Sequence, residues 1–146
     1  MLRALLLADT HLGFDYPLKP RIRRRRRGED FFRNFRLALR PALQGKVDLV
    51  VHGGDLFTRS RVPEALAERA MVPLKQVAGA GIPVFLVPGN HERSKIPLHI
   101  WSVHPNLFIF RKPRTFRVEV DGVTTAVSGF PFTCKVGDKF GDLVQS

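Results

Sequence analysis

Four side chains with metal-ligating chemistry follow directly behind short apolar runs of the sequence. Asp9 and His11 follow the first run, Asp55 follows the second, and Asn90 follows the third. Carboxylate, imidazole and amide groups of this mix suit Mn²⁺, Fe or Zn²⁺, and a carboxylate can bridge two ions. Each aspartate taken alone has a plainer interpretation as a helix cap or a turn residue. The repetition behind three successive runs favours a metal site.

The three apolar runs predict parallel strands that bring these side chains to one edge of a sheet. The runs cover residues 2–7, 47–52 and 83–87, and each is short and stopped by polar residues, as buried strands are. Their β-α-β-α-β order implies right-handed crossovers and a parallel sheet. Open α/β sheets place their sites beyond the carboxyl ends of the strands. All four side chains are therefore expected at the same edge.

Two helices are predicted between the strands. The first opens at Glu29, carries apolar residues at helical spacing, and should kink or end at Pro41. The second begins at Pro63, where the missing N–H is harmless, and ends near Gly81. Pro73 conflicts with the interior of this second helix, and the sequence pattern leaves that conflict open.

After residue 91 the pattern changes. The predicted segments are a short helix at 96–103 and strands at 107–110, 115–120 and 123–128. Asp121-Gly122 between the last two strands is a strong short signal for a hairpin. These segments predict the start of a second, largely antiparallel sheet. No clear element is predicted for residues 130–146.

Composition bounds the class of protein. A chain of 146 residues is long enough for one domain with a real core, and no apolar run approaches the length needed to span a bilayer. No membrane partner is therefore expected. The single cysteine, Cys134, cannot form an internal disulfide, which predicts a cytoplasmic location. The formal net charge of +11 favours a polyanionic partner.

The motifs and their order resemble those of a known family. Asp-x-His at 9–11, Gly-Asp at 54–55 and Gly-Asn-His-Glu at 89–92 each follow a predicted strand, as in the calcineurin-like metallophosphoesterases. Segments 9–13, 48–57 and 127–131 resemble the SbcD-type DNA-repair exonuclease branch of that family. The resemblance covers residues 2 to about 131. Three motifs in order are a far more specific signal than one.

The resemblance implies a fold and a role for each site residue. The fold would be α/β, an α-β-β-α sandwich of metallophosphoesterase type. Asp9 and His11 would hold a first metal, and Asp55 would bridge two metals. Asn90 would bind the second metal through its side-chain oxygen. His91 would be catalytic and not a ligand, reaching the phosphate or leaving oxygen as an acid or electrostatic stabiliser. The cofactors implied are two divalent metal ions, Mn²⁺ by preference, with Fe, Zn²⁺ or Mg²⁺ as alternatives.

The sequence departs from the family pattern after these motifs. The family completes its site with a later histidine and a Gly-His-x-His segment, whereas no histidine follows His104 here. By that pattern the first metal lacks one ligand and the second lacks two, so the second site is expected to be weak or empty. Residues 1–146 are therefore expected to form an incomplete nuclease domain, truncated at its C-terminal side and impaired in activity.

An arginine run forms a basic loop insert at residues 16–28, between the first metal motif and the first helix. It either contacts a DNA phosphate backbone, independently of base sequence, or is a solvated loop of like charges. The nearby Asp9 and His11 slightly favour DNA. The candidate DNA-binding residues are Arg21, Arg23, Arg24, Arg25, Arg26 and Arg27.

The remaining candidate residues carry weaker signals. His52 lies on the second strand and is expected to be a packed or ligand-supporting residue. His99 and His104 are expected to have surface or structural roles, and Glu92 is expected to cap or orient its loop. Cys134 is expected to be an ordinary thiol, since no paired base is recognisable.

The function expected from these observations is that of a divalent-metal-dependent phosphodiesterase acting on DNA, of the SbcD exonuclease type. The resemblance adds an SbcC-like ATPase as a partner. The open sheet edge and apolar face expected of such a chain make self-association, as a homo-oligomer, a further expectation. Two alternatives stay open: a phosphoprotein or small-molecule phosphoesterase of the same superfamily, and a non-catalytic DNA- or partner-binding remnant.

Overall fold

The protein, described here from a computed structural model, is built around a parallel β-sheet. The structure describes residues 1–14, 28–92, 104–134 and 136–144. Within them, β1 (Ala4–Leu7), β2 (Leu49–His52), β3 (Val84–Leu86) and β4 (Leu107–Ile109) lie side by side in chain order, all parallel. The three strands predicted from the apolar runs are confirmed, with shorter bounds than the runs.

Helices cover one face of this sheet. They are α1 (Gly28–Ala38), α2 (Arg40–Leu43) and α3 (Glu64–Gly79). The predicted break is confirmed, because α1 ends before Leu39 and Pro41 lies in the first turn of α2. Pro73 does not interrupt α3, although it removes one backbone hydrogen bond. Tertiary burial outweighs that loss, because the inner face of α3 is fully packed against the sheet.

Alternating side chains of each strand face opposite sides of the sheet. Val84 and Leu86 of β3 belong to the core under the helices, whereas Phe85 between them belongs to a second core on the other face. The period of two follows from strand geometry. Burial on both faces explains why this strand is apolar throughout.

A hairpin of β5 (Arg114–Val120) and β6 (Val123–Gly129) packs on that second face. Its turn at Asp121 and Gly122 has positive φ values of 49° and 73°, as a type I′ turn requires, so the predicted hairpin is confirmed. The Phe116 ring contacts Phe108 and Phe110 on the sheet, with centroids 5.1 and 5.0 Å apart. Residues 107–110 were predicted to be a strand of a second, largely antiparallel sheet, and the placement in that sheet was wrong. β4 instead extends the parallel sheet, where its side chains pair with those of β3.

The hairpin leaves the β1 side of this face open. Leu6, Val51, Phe85 and Phe108 are paired across the four strands and share one face. Phe85 is fully buried, whereas Leu6 is 72% exposed. β1 was predicted to be a buried strand, and this is corrected: only its helix-facing side chains are covered, since β1 is an edge strand of the described sheet.

The C-terminal part of the described chain contains elements that the sequence pattern did not predict. A 3₁₀ turn (Gly137–Lys139) leads into α4 (Phe140–Val144), which lies against the hairpin. The Phe140 ring contacts Phe130 with centroids 6.3 Å apart. Five residues are too few to show helical periodicity, so tertiary contact decides this helix.

Two predicted segments fall outside the described residues. These are the helix at 96–103 and the basic insert at 16–28, apart from Gly28, which begins α1. Among the helices of the described residues, none has the length and apolar character that a membrane span requires. The layers are thus helices, parallel sheet and hairpin, with the short α4 against the hairpin, and this mixed α/β architecture is consistent with the metallophosphoesterase-type α-β-β-α sandwich that the resemblance implied.

Candidate metal centre

The loops that follow β1 and β2 run side by side and are joined through their backbones. Asp9 N–H donates to the Gly54 carbonyl at 3.0 Å, and His11 N–H donates to the Asp55 carbonyl at 3.1 Å. Leu12 N–H continues the pairing at 2.8 Å to the Leu56 carbonyl. This parallel ladder holds Asp9 and His11 against Asp55, although more than forty residues separate them in the chain.

Asp9, His11 and Asp55 all have left-handed backbone conformations. Their φ values are 52°, 44° and 52°, and among the described residues the only other non-glycine residue with positive φ is the turn residue Asp121. Such conformations cost on the order of 1–2 kcal/mol for a residue with a side chain. Strained backbone of this kind clusters at functional sites. Here it aims three polar side chains at one point.

The donor atoms of these three residues converge. One ligand atom from each of Asp9, His11 and Asp55 lies within 4.8 Å of the other two. His11 Nε2 is 3.8 Å from Asp9 Oδ1. The Asp9 side chain is 73% exposed and that of His11 32% exposed. The three groups therefore form an open cluster at the carboxyl edge of the sheet.

Asn90 lies against the same aspartate. Its amide is 2.7 Å from both carboxylate oxygens of Asp55, with the nitrogen assigned to that position because carboxylate oxygens only accept. The backbone N–H of His91 donates to Asp55 Oδ1 at 3.3 Å. Asp55 thus lies between the loop that follows β1 and the loop that follows β3, the position that a shared ligand needs.

Two glycines allow the β2 and β3 loops to touch. A Cβ on Gly54 would lie 3.1 Å from Gly89 Cα, and Gly54 also has a φ of 118°. A Cβ on Gly89 would overlap the backbone nitrogen and the carboxylate of Asp55. Only glycine leaves room for this approach.

Glu92 links the loop after β2 to the loop after β3 through hydrogen bonds. Its Oε1 accepts Phe57 N–H at 2.8 Å, and its Oε2 accepts Asp55 N–H at 3.1 Å and Gly89 N–H at 2.7 Å. Burial raises the pKa of Glu92 above its ordinary value, although the Phe57 and Gly89 N–H groups favour the carboxylate. The predicted loop-orienting role of Glu92 is confirmed.

His91 is oriented by a backbone carbonyl. Its Nδ1 lies 2.7 Å from the Thr58 carbonyl oxygen, which can only accept, so Nδ1 carries the proton. The Thr58 hydroxyl donates to the His11 carbonyl at 2.5 Å. The two imidazole rings lie edge-on with centroids 5.3 Å apart. Thr58 therefore contacts both histidines, and its carbonyl engages Nδ1 of His91 and not Nε2.

His52 supports the site from the core. It is fully buried and packs edge-on against Phe35. Gly54 N–H donates to Nδ1 at 3.3 Å, so in the neutral ring Nε2–H donates to the Thr10 hydroxyl at 3.0 Å. Thr10 lies between Asp9 and His11, and its hydroxyl donates on to Leu56 O at 3.3 Å. The prediction that His52 is a packed residue is confirmed.

The donor set fits a divalent cation. Two carboxylates, an imidazole and an amide can supply the oxygen and nitrogen ligands that Mn²⁺, Fe and Zn²⁺ accept. The carboxylates of Asp9 and Asp55 lie close together with no Lys or Arg lining their shared cavity within the described residues. Two carboxylates in such proximity repel each other unless a cation lies between them.

Comparison with known proteins agrees with this geometry. Residues 2–143 match the family model described as calcineurin-like phosphoesterase. The chain belongs to the calcineurin-like phosphoesterase family. Family members use divalent metals, and Asp9, His11 and Asp55 are the candidate metal group of this one.

Within the family, the chain is similar to proteins named DNA double-strand break repair protein Mre11. That of Haloferax volcanii is 36% identical over 97 residues, which are 65% of this chain and 20% of the relative. That of Methanosarcina mazei is 41% identical over 92 residues, 62% of this chain and 14% of the relative. That of Saccharolobus solfataricus is 30% identical over 131 residues, 84% of this chain and 33% of the relative. The chain therefore matches between about one seventh and one third of these relatives.

The family fold brings further residues to the site that the motifs did not indicate. Thr58 contacts His91 through its backbone carbonyl and His11 through its hydroxyl, and no motif marked it in the sequence. Lys112 and Arg114 are exposed and follow β4 in the chain, and the Arg114 guanidinium lies over the Phe116 ring, 4.1 Å from its centroid. The position of Lys112 and Arg114 depends on the parallel pairing of β4, which the sequence pattern did not reveal. The candidate DNA-binding residues Arg21 and Arg23 to Arg27, like His99, lie outside the described residues.

Of the other two weak candidates, His104 agrees with its predicted structural role, and the ordinary-thiol role of Cys134 stays a prediction. His104 accepts the Asn106 N–H on Nδ1 at 3.1 Å, which is a structural contact in the turn before β4. Cys134 is exposed and is the single cysteine of the chain.

We expect His52 to make the stability of this phosphoesterase fold depend on pH. Burial lowers the pKa of His52 from 6.5 to about 4. His52 therefore binds a proton more readily in the unfolded chain than in the folded protein. The stabilisation by neutral His52 is complete above pH 6.5, and it is lost as the pH falls towards 4. A difference of about 2.5 pKa units corresponds to roughly 3 kcal/mol.

Urea unfolding at pH 7.0 and 4.5 tests this expectation. His52→Gln can still accept from Gly54 and donate to Thr10, but it does not titrate. The wild-type free energy of unfolding should fall by a few kcal/mol more than that of the variant. Equal losses in the two proteins would contradict the assignment.

Proposed function

We propose that this chain provides the metal-binding part of a divalent-metal-dependent phosphodiesterase that acts on DNA, of the SbcD type. The observation that carries the proposal is the convergence of Asp9, His11 and Asp55 within 4.8 Å beyond the ends of two parallel strands. The Asn90 amide, beyond a third strand, faces the same carboxylate. Each residue is the type that holds a cation, and each is placed by backbone contacts.

The metal roles follow from this placement. Asp9 and His11 are proposed to hold one ion, Asp55 to bridge two, and Asn90 to bind the second after its amide turns its oxygen outward. Two such ions, when bound, would supply an activated water and would screen the negative charge of a phosphodiester. Mn²⁺ is proposed as the preferred ion because it accepts mixed oxygen and nitrogen ligands. Within residues 1–146 the second ion has fewer candidate ligands, so it should bind more weakly.

His91 is the proposed acid or electrostatic group. Its Nδ1–H is held by the Thr58 carbonyl, which fixes the ring and leaves Nε2 for the substrate. A protonated Nε2 can donate its proton to the oxygen that leaves when the ester bond breaks. Without that proton the oxygen would be a poor leaving group. His91 then needs no direct contact with a metal.

The DNA substrate is proposed from the relatives and from charge. The relatives named above are DNA double-strand break repair proteins. The net charge is +11, and the exposed residues Lys112 and Arg114 follow β4, which lies two strands from β2 in the sheet. These two residues and the arginines of the 16–28 insert are proposed to bind flanking phosphates.

Neutralising these basic residues should flatten the salt dependence of duplex binding. The slope of log K against log salt concentration should become less steep by roughly 0.9 for each phosphate that is no longer bound. An unchanged slope would contradict this role.

The proposal is tested with the purified chain, Mn²⁺ and two model esters. We expect bis(p-nitrophenyl) phosphate, a diester, to be hydrolysed faster than p-nitrophenyl phosphate, a monoester. The activity should disappear with EDTA and in Asp55→Asn, which removes the bridging charge. Because the second ion is weakly held, cleavage of labelled DNA should be far slower than by a full-length relative such as Haloferax volcanii Mre11.

The other outcomes of this experiment select the alternatives. A preference for the monoester would indicate a phosphoprotein or small-molecule phosphoesterase. Stoichiometric Mn²⁺ binding without turnover would indicate a non-catalytic DNA- or partner-binding module. DNA cleavage at the rate of the full-length relative would contradict the proposed impairment and the incomplete-domain interpretation of residues 1–146.

Partners are also proposals. An SbcC-like ATPase is expected to bind the protein, and the exposed Leu6 side of the sheet is expected to favour self-association. Light scattering over a range of concentrations tests self-association, and Leu6→Lys should shift the chain towards the monomer. Failure of an SbcC-like protein to co-elute with the chain would count against the proposed ATPase partner.

A further inference from the structure

Beside the metal candidates lies a cavity of about 460 Å³ with two chemically different walls. Its lining includes the polar residues Asp9, Asp55 and Asn90, called here the polar wall, and the apolar residues Phe130, Pro131 and Phe132, called here the apolar wall. The volume is in the range of small-molecule sites. The metal roles proposed above account for the polar wall only, and they leave the apolar wall unexplained.

The apolar wall is held in place by the fold. Phe132 N–H donates to the Pro88 carbonyl at 2.8 Å, which ties the segment after β6 to the loop after β3. A Cβ on Gly129 would lie 3.0 Å from the Phe110 ring, so this chain segment sits tightly on the second core. The ring of Phe130 contacts Phe140 in α4. Phe132 remains 43% exposed beside the carboxylates.

The chemistry of the two walls restricts the occupant. Within the described residues no Lys or Arg lines the cavity, and the polar wall carries the candidate metal ligands, so a phosphate there would be held through bound cations. The apolar wall suits a flat apolar group attached to that phosphate. The Thr133 hydroxyl donates to Pro131 O at 3.2 Å and is thereby engaged within its own turn. The wall thus favours stacking over the reading of base edges.

We propose that Phe132 and its neighbours form a stacking site for the nucleobase next to the phosphate that the metal centre binds. This inference rests on the proposed function and adds the part of the substrate that the protein itself contacts. Aromatic side chains stack on every base because each base has a π-face. The site should therefore favour nucleotides over sugar phosphates and should discriminate little between bases.

Binding measurements test the proposal without turnover. Saturation-transfer NMR titrations with Mg²⁺ compare deoxyadenosine 5′-monophosphate, thymidine 5′-monophosphate and 2-deoxyribose 5-phosphate. The nucleotides should bind about ten- to a hundredfold more tightly than the sugar phosphate, and within a few-fold of each other. Phe132→Ala should lower nucleotide affinity to that of the sugar phosphate and leave sugar phosphate affinity unchanged.

Two further variants control for folding and for loss of apolar surface. Phe132→Leu keeps an apolar side chain without a ring and should lose most of the nucleotide preference while staying folded by circular dichroism. Val123→Ala removes an exposed apolar side chain beside the hairpin turn and should bind as the wild type does. Full nucleotide preference in folded Phe132→Leu would overturn a role for ring stacking.

The outcomes separate this inference from the proposed function. Metal-dependent binding of the sugar phosphate with no gain from the base would overturn the stacking site and leave the metal centre standing. Tighter binding of phosphotyrosine than of either nucleotide would overturn the nucleobase assignment. Absence of binding by all the phosphates would overturn both proposals.

Discussion

Gly89→Ala is expected to weaken Mn²⁺ binding by about 10- to 100-fold, the range seen when groups that orient metal ligands are displaced. A methyl group at this position would overlap the backbone nitrogen and the carboxylate of Asp55. Either the Asp55 loop moves or the loop carrying Asn90 moves, and the two side chains separate in both cases. The overlap should also lower the free energy of unfolding by about 1–3 kcal/mol.

Isothermal titration with Mn²⁺ and urea unfolding measure the two effects separately. Gly141→Ala is the matched control, because a Cβ there meets nothing within 4 Å and α4 tolerates alanine. The control should bind Mn²⁺ as the wild type does. Unchanged Mn²⁺ affinity in Gly89→Ala would mean that Asp55 does not need its observed position to hold the ion.

His91→Ala is expected to lower kcat for diester hydrolysis by about 10²- to 10⁴-fold, the usual contribution of a positioned acid or base. The bound metal content should not change, because the ring is held by the Thr58 carbonyl and is not part of the converging group of Asp9, His11 and Asp55. The combination of reduced turnover with retained metal distinguishes a group that acts on the substrate from a ligand.

Elemental analysis of the dialysed variant and hydrolysis of bis(p-nitrophenyl) phosphate with Mn²⁺ provide the two readouts. His104→Ala is the control histidine, since His104 lies in the turn before β4 and contacts Asn106. It should leave both readouts near their wild-type values. Loss of an ion from His91→Ala would make this residue a ligand and remove the proposed acid.

Several elements could be predicted from the sequence because local rules decide them. The strand runs are apolar on both faces, and the Asp121-Gly122 pair accepts the two positive φ values of a tight turn. Pro41 ends one helix because it lacks an N–H. Pro73 shows the limit of such rules, because α3 continues through it once its buried face is packed against the sheet.

The sequence by itself determined the family, the presence and parallel direction of the first three strands, and the residues that could bind metal. These follow from residue type, spacing and hydrophobic period, which need no partner elsewhere in the chain. Only the tertiary structure decided that Thr58 orients His91, that Glu92 joins two loops, and that Phe132 lies beside the carboxylates. Apart from the hydrogen bond between Gly89 and Glu92, these contacts join residues more than 30 positions apart, often through backbone atoms, and backbone atoms are the same in every residue type.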